Sequence, residues 1–190
     1  LIARLVPQYL DPEAVRVVEG AAEATQDLLS QGFDHALFTG GTEIGRKIMA
    51  AAAPTLTPVT LELGGKSPVL VLPDADINIA ARRIAWTKLL NSGQTCIAPD
   101  YVLADRSIAR ELTEKIVSAI GKFRAHEPDP ALRIVNERQF DRLVALISAT
   151  EGTVVTGGGS DRGALRIQPT VIVDPPADDP VMSDELFGPI

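Results

Sequence analysis

A single cysteine, Cys96, among 190 residues excludes an intrachain disulfide framework and a cysteine-built zinc cage. Histidine is almost as scarce, and the pair His35 and His126 argues further against a resident metal. Basic residues number 18 against 25 acidic ones, a formal charge of −7, and no basic stripe runs along the chain. A nucleic-acid backbone or an anionic membrane is therefore not an expected partner, whereas a small molecule is. No apolar run approaches the roughly 20 residues that a membrane helix needs, and no basic segment precedes an apolar one at the start. These absences together lead to the expectation of a cytoplasmic protein. The remainder, 45% hydrophobic and 23% charged, is ordinary for a folded domain. The chain opens on Leu1 and stops at Phe187-Gly-Pro-Ile190, where a strand would be starting, so it reads as a piece of a longer protein.

Taken in order, a short amphipathic opening leads to Val15-Arg-Val-Val18, which reads as a strand, and to a helix over Ala22 to Ser30. His35-Ala-Leu-Phe38 reads as a second strand, followed by a glycine-bearing turn, a helix from Arg46 to Ala53 and a third strand, Val59-Thr-Leu-Glu-Leu63. This alternation with short connections predicts an α/β fold in which a parallel sheet carries helices on its faces, a Rossmann-like half-domain over residues 1–63. A second α/β region is expected over 64–190. There Pro68-Val-Leu-Val-Leu72 suits a strand buried on both faces, and Pro73-Asp-Ala-Asp76 introduces a helix that ends near Leu90. Tyr101-Val-Leu103 reads as a strand, and Ser107 as the cap of a helix carrying Ile108, Leu112, Ile116, Ile120 and Phe123 at helical spacing. Glu127 to Arg133 reads as a loop, and Phe140, Leu143, Val144 and Ile147 as the apolar face of another helix. Strands follow at Val154-Val155 and within Ala164 to Val173, Gly157-Gly-Gly-Ser160 reads as a hairpin turn, and Asp174 to Pro180 as a loop.

Three stretches carry candidate chemistry. Cys96 follows the turn-forming Asn91-Ser-Gly93 and precedes the helix-breaking Pro99. A lone cysteine is commonly a small buried hydrophobe, but a thiol at a turn with an open path is placed to act as a thiolate. Gly40, Gly41 and Gly45 lie where a strand hands over to a helix, and the unpaired N–H groups of a first helical turn bind anions such as a pyrophosphate. Thr42 stands there as a cap or a phosphate donor. A nucleotide-hydrolysing P-loop does not fit, because Arg46-Lys47 stands where Lys followed by Ser or Thr belongs. Glu62 interrupts an apolar strand at its C-terminal end, where open α/β sheets place ligands, and a partly desolvated carboxylate there would suit a general base on water.

The wording of these stretches resembles one family. Leu61-Glu-Leu-Gly-Gly-Lys-Ser-Pro68 is similar to the glutamate signature of the aldehyde dehydrogenase superfamily, and Gly93-Gln-Thr-Cys-Ile-Ala98 to its cysteine signature. Phe38-Thr-Gly-Gly-Thr-Glu-Ile-Gly45 resembles its cofactor turn and Glu185-Leu-Phe-Gly-Pro189 its late cofactor motif. Thr57-Pro-Val-Thr-Leu-Glu62 and Asn91 to Tyr101 are similar in wording to the class 3 branch, which includes fatty-aldehyde and aromatic-aldehyde enzymes.

The resemblance implies NAD- or NADP-dependent oxidation of an aldehyde, with Cys96 as nucleophile and Glu62 as the base that hydrolyses a thioester. It assigns Gly40, Gly41, Thr42 and Gly45 to the cofactor pyrophosphate, Glu185 to a ribose hydroxyl and Phe187 to the nicotinamide ribose. A homodimeric parent protein is implied as well. Gly41 departs from the family's usual Ser, and Leu89 replaces an aromatic residue. The oxyanion-stabilising Asn and the cofactor Lys of the family belong to segments upstream of this chain, and loss of one oxyanion donor commonly costs on the order of a hundredfold to a thousandfold in rate. The segment alone is therefore expected to be inactive. Two other readings of the same residues are thioester or ester hydrolysis by Cys96 and Glu62 without a redox cofactor, and a non-catalytic remnant with Cys96 buried and inert.

Overall fold

The computed structural model describes residues 1–125 and 133–190. His126 and the expected loop up to Arg133 lie outside the described residues, Arg133 itself excepted. The chain divides into two compact units, Leu1–Gly64 and Gly65–Ile190.

In the first unit, helices α1 (Ile2–Tyr9) and α2 (Ala22–Leu29) precede strand β1 (Ala36–Gly40), helix α3 (Thr42–Ala52) and strand β2 (Val59–Leu63). Strands β1 and β2 pair in parallel, with Ala36 opposite Val59 and Thr39 opposite Glu62. Alternate residues of the pair, Ala36, Phe38, Val59 and Leu61, pack against Leu29, Ile48 and Ala52 of the helices. Their neighbours Leu37, Thr39, Thr60 and Glu62 point the other way and are exposed. The β-branched and apolar alternation of Val59–Leu63 forms a strand because one face has helices to cover it.

Val15-Arg-Val-Val18, expected as a strand, is irregular and exposed. Strand propensity needs a partner ladder to be realised, and among the described residues this segment pairs with none. Helix α3 starts at Thr42, four residues ahead of the expected Arg46, because the glycine turn is already its N-terminus.

The second unit opens with β3 (Pro68–Val71) and continues through α4 (Ile77–Leu89), β4 (Tyr101–Ala104) and α5 (Ala109–Arg124). Strands β3 and β4 are parallel, Pro68 facing Tyr101 and Val71 facing Ala104. Asp76 caps α4 by accepting the Ile79 N–H at 3.0 Å. Val71, Ala81, Ile84, Ile108, Leu112 and Ile116 form the core between the strand pair and the two helices.

Only one face of β3 is covered, against the expectation of burial on both: Val71 is 4% exposed, but Leu70 and Leu72 are 69% and 65% exposed. An unbroken apolar run cannot distinguish the two cases. Ser107 does not cap α5 either. Its hydroxyl and N–H both go to Asp105 Oδ1, at 2.6 and 2.9 Å, and Ile108 holds the cap position.

Helix α6 (Glu137–Ala149) begins at Asn136, whose side chain accepts the Gln139 N–H at 2.9 Å. Strands β5 (Thr153–Thr156) and β8 (Val171–Val173) pair antiparallel, as do the two-residue strands β6 (Ser160–Asp161) and β7 (Arg166–Ile167). The glycines at 157–159 therefore connect two separate ladders instead of closing a hairpin. A short helix α7 (Pro180–Ser183) starts at Asp179, which also takes hydrogen bonds from Thr150 Oγ1 and the Glu151 N–H, both at 2.8 Å. Ile134, Phe140, Leu143, Leu165 and Ile167 make a second core. Phe187 to Ile190 form no strand among the described residues. No helix among them is long and apolar enough to cross a membrane.

Candidate functional site

The cysteine turn begins where α4 stops. Asn91, Ser92 and Gly93 take φ of +52°, +54° and +72°, three successive left-handed residues that reverse the chain within one turn. Asn and Gly tolerate this region better than other residues, which is why the sequence can make the turn here. The Asn91 amide donates to the Gln94 carbonyl at 3.0 Å, and the Gln94 N–H returns to the Asn91 carbonyl at 3.1 Å.

Gln94 then anchors the turn from below. Its side-chain amide donates to the Asn91 and Arg133 carbonyls at 3.0 and 3.2 Å, and its oxygen accepts the Val135 N–H at 2.9 Å. Ala98 is buried on the far side. Between these two anchors Cys96 and Ile97 stand exposed, so Cys96 is not the buried hydrophobe of the inert reading. Next to it, Thr95 Oγ1 is buried without a hydrogen-bond partner.

Below the turn sits a buried group of charges. The Asp100 carboxylate, 2% exposed, lies 3.3 Å from Lys88 Nζ and 3.7 Å from Lys66 Nζ. It also accepts the Leu186 N–H at 3.1 Å. Burial pulls the Lys88 ammonium down to about 8, with Asp100 opposing the shift. Lys66 is lowered for the same reason, and its ammonium also donates to the Val181 carbonyl. Burial, seconded by the Asp100 charge, raises the Glu185 carboxyl, while a hydrogen bond from the Gly65 N–H opposes the rise. Glu185 Oε1 is buried without a hydrogen-bond partner. Arg142 donates to the carbonyls of Glu185 and Leu186, and Phe187 takes φ +49°.

The cysteine turn and the Glu185–Phe187 segment are thus brought together within the second unit. Asp100, Lys88 and Gln94 were not among the residues read as functional from sequence. The available signal was charge in apolar surroundings: Lys88 in the last turn of α4, and Asp100 directly before the apolar strand β4.

The other candidates lie in the first unit. Gly40 ends β1, and Gly41, with φ −73° and ψ 150°, is the N-cap of α3. Its carbonyl accepts the N–H groups of Ile44 and Gly45 at 3.1 and 3.0 Å. Thr42 is therefore the first helical residue, not the cap. A Cβ on Gly41 would meet nothing within 4 Å, whereas one on Gly45 would lie 2.9 Å from Leu63 Cδ2. Gly45 thus serves the close packing of α3 on β2, and the space before Gly41 is open. Glu62 sits opposite Thr39 in the ladder, on the exposed face and not in the partly dry surroundings expected of it.

The aldehyde dehydrogenase family model matches residues 1–190. The mouse "aldehyde dehydrogenase, dimeric NADP-preferring" is 46% identical over 193 residues, covering 100% of this chain and 42% of the relative. The Arabidopsis thaliana "aldehyde dehydrogenase family 3 member H1" is 47% identical over 196 residues, covering 100% of this chain and 40% of the relative. Among solved structures, a Staphylococcus aureus AldH in a substrate-bound state aligns with TM-score 0.92 at 38% identity, covering 100% of this chain and 42% of that one. The chain spans about two-fifths of the length of the curated relatives it matches. Its α/β fold, its signature segments and these likenesses agree: the chain belongs to the aldehyde dehydrogenase family.

Proposed function

We propose that the full-length protein containing this chain oxidises an aldehyde to a carboxylic acid with NAD or NADP, using Cys96 as nucleophile and Glu62 as general base. The observation that carries the proposal is the exposure of Cys96 between the anchored Gln94 and the buried Ala98, directly after a left-handed turn. The relatives named as aldehyde dehydrogenases, one of them NADP-preferring, support the substrate class and the cofactor.

Cys96 Sγ, as thiolate, adds to the carbonyl carbon as the C=O π bond opens, forming a C–S bond and, once the carbonyl oxygen takes a proton, a thiohemiacetal. NAD or NADP, when bound, would supply the hydride acceptor, the carbon giving up a hydride and its hydroxyl a proton to reach the acid oxidation level. Cys96 then carries a thioester. Glu62 accepts a proton from water, the water oxygen bonds to the acyl carbon, the C–S bond breaks, and the acid leaves with the thiolate restored. Holding the carbon on Cys96 makes the redox step effectively unimolecular.

The residues present fit the cofactor. The unpartnered Glu185 Oε1 needs a donor, which a ribose hydroxyl supplies, and Phe187 adjoins it. The segment Gly40, Gly41, Thr42 and Gly45 forms a helix N-terminus in which Gly41 has open space before it, suited to a pyrophosphate, while Gly45 lets the first turn pack on β2. On this reading residues 1–63 belong to the cofactor-binding domain and 64–190 to the catalytic domain. The segment by itself is inactive, because the oxyanion donor comes from elsewhere in the protein. A homodimer is proposed from the description of the mouse relative as dimeric.

The test is formation of NADH or NADPH by the full-length protein with a panel of aliphatic and aromatic aldehydes. Reduced cofactor that appears with the wild type and not with Cys96→Ser supports the reading. Hydrolysis of a thioester with no cofactor dependence, and no reduced cofactor from any aldehyde, would replace it with the hydrolase reading.

A further inference from the structure

We propose that Asp100 is a positioning residue for the cofactor end of the site, holding the Glu185–Phe187 segment in register against the cysteine turn through its two carboxylate oxygens. This rests on the assignment of Glu185 and Phe187 to the cofactor.

Burying a carboxylate is strongly unfavourable unless it is fully partnered. The Asp100 side chain is 2% exposed, and its partners come from three segments far apart in sequence. Lys66 enters from the glutamate signature, Lys88 from the last turn of α4 and the Leu186 N–H from the late motif. Glu185 shares the group, and the formal charges of Asp100, Glu185, Lys66 and Lys88 sum to zero.

The bond to Leu186 is the informative one. Leu186 lies between Glu185 and Phe187, so its amide sets the backbone from which both side chains project. Phe187 takes φ +49°, a conformation that a non-glycine residue keeps only when its surroundings impose it. Asp100 fixes the N–H side of this segment, Arg142 the carbonyls of Glu185 and Leu186, and the Thr170 N–H the Pro189 carbonyl at 2.8 Å. Asp100 itself begins two residues after the buried Ala98, so a shift of the late segment is transmitted to the end of the cysteine turn. It touches neither Cys96 nor a reacting atom in this arrangement and acts through Leu186.

The experiment uses the full-length protein as wild type, Asp100→Ala and Asp100→Asn. NADPH affinity is followed by fluorescence titration, and kcat and KM by steady-state assay. Loss of a hydrogen bond to a charged group predicts that Asp100→Ala weakens NADPH about tenfold. Under saturating cofactor kcat should stay within about threefold, since no interaction specific to the transition state is lost. Asp100→Asn keeps an acceptor for Leu186 and should fall between the two. Hydrogen exchange over residues 183–190 in the cofactor-free protein should quicken in the same order.

Unchanged NADPH affinity in both variants would overturn the proposal. So would a fall in kcat with affinity intact, which would move Asp100 to the cysteine side. Should Asp100→Ala fail to fold, an Asp100→Asn protein with wild-type affinity and exchange would overturn it alone. A wild type that binds NADPH but forms none from NADP and any aldehyde would sink the redox reading while the affinities still decide the role of Asp100. A wild type that binds neither NADPH nor NADH would sink both.

Discussion

Gly93 and Gly188 meet backbone to backbone: a Cβ placed on Gly93 would overlap the carbonyl oxygen of Gly188 and come within 3.2 Å of Lys88 Cε. Two signature segments nearly a hundred residues apart are thereby in direct contact. Gly93 also has φ +72°, so a side chain there is opposed by both space and backbone. Gly93→Ala is expected to lower stability by about 2 kcal/mol or more, read as a shift in urea midpoint. Gly121→Ala, in a helix with nothing within 4 Å of the added methyl, should be neutral or mildly stabilising. Equal midpoints for Gly93→Ala and wild type would show that the glycine contact does not constrain the turn.

Gln94 ties the same turn to the approach of α6. Removing its amide in Gln94→Ala takes away the side-chain partner of the Val135 N–H and the Arg133 carbonyl, on residues that water can reach, at a cost of about 1 kcal/mol. Gln94→Glu should cost more, because a carboxylate oxygen would then face the Asn91 and Arg133 carbonyls that now receive N–H donors. The order of urea midpoints, wild type above Ala above Glu, checks the assignment. A Glu variant as stable as wild type would contradict it.

The buried lysines give stability a pH dependence above neutrality. Lys88 releases its proton at about 8 in the folded protein against 10.5 in the unfolded chain, and Lys66 is shifted in the same direction. Between those values the unfolded chain binds more protons than the folded one, so stability rises with pH across the window. Below about 8 both forms carry the charge and the burial penalty is fully present. The stability of wild type relative to Lys88→Met should therefore improve as pH increases from 8 towards 10.5. Parallel unfolding midpoints for the two proteins over that range would contradict the lowering of Lys88 by burial.

Legibility of the sequence followed locality. Val59–Leu63 was readable to the residue because its alternation and its helix-covered face agree. Val15 to Val18 had the same β-branched composition without a partner strand among the described residues, and composition alone could not reveal that difference. The capping contest at Asp105 and Ser107 turned on one side chain bonding another two residues away, a choice that cap preferences do not rank. Within the site, Cys96 and its turn were visible in a run of adjacent residues. Asp100 with Lys66, Lys88 and Leu186 was not, because the group exists only once four separated segments meet. Glu62 was recognisable by type and place, but its exposure belongs to the two-stranded ladder and not to the local sequence.

The most direct measurement of the covalent account is intact-protein mass spectrometry of full-length Glu62→Gln after mixing with NADP and an aldehyde substrate, with reduced cofactor followed in parallel. If Cys96 is the nucleophile and Glu62 the base for hydrolysis, one equivalent of NADPH forms in a burst and an acyl adduct accumulates on the peptide containing Cys96. Multiple turnovers at the wild-type rate with no adduct would contradict the role assigned to Glu62, and an acyl adduct on a peptide without Cys96 would contradict that of Cys96.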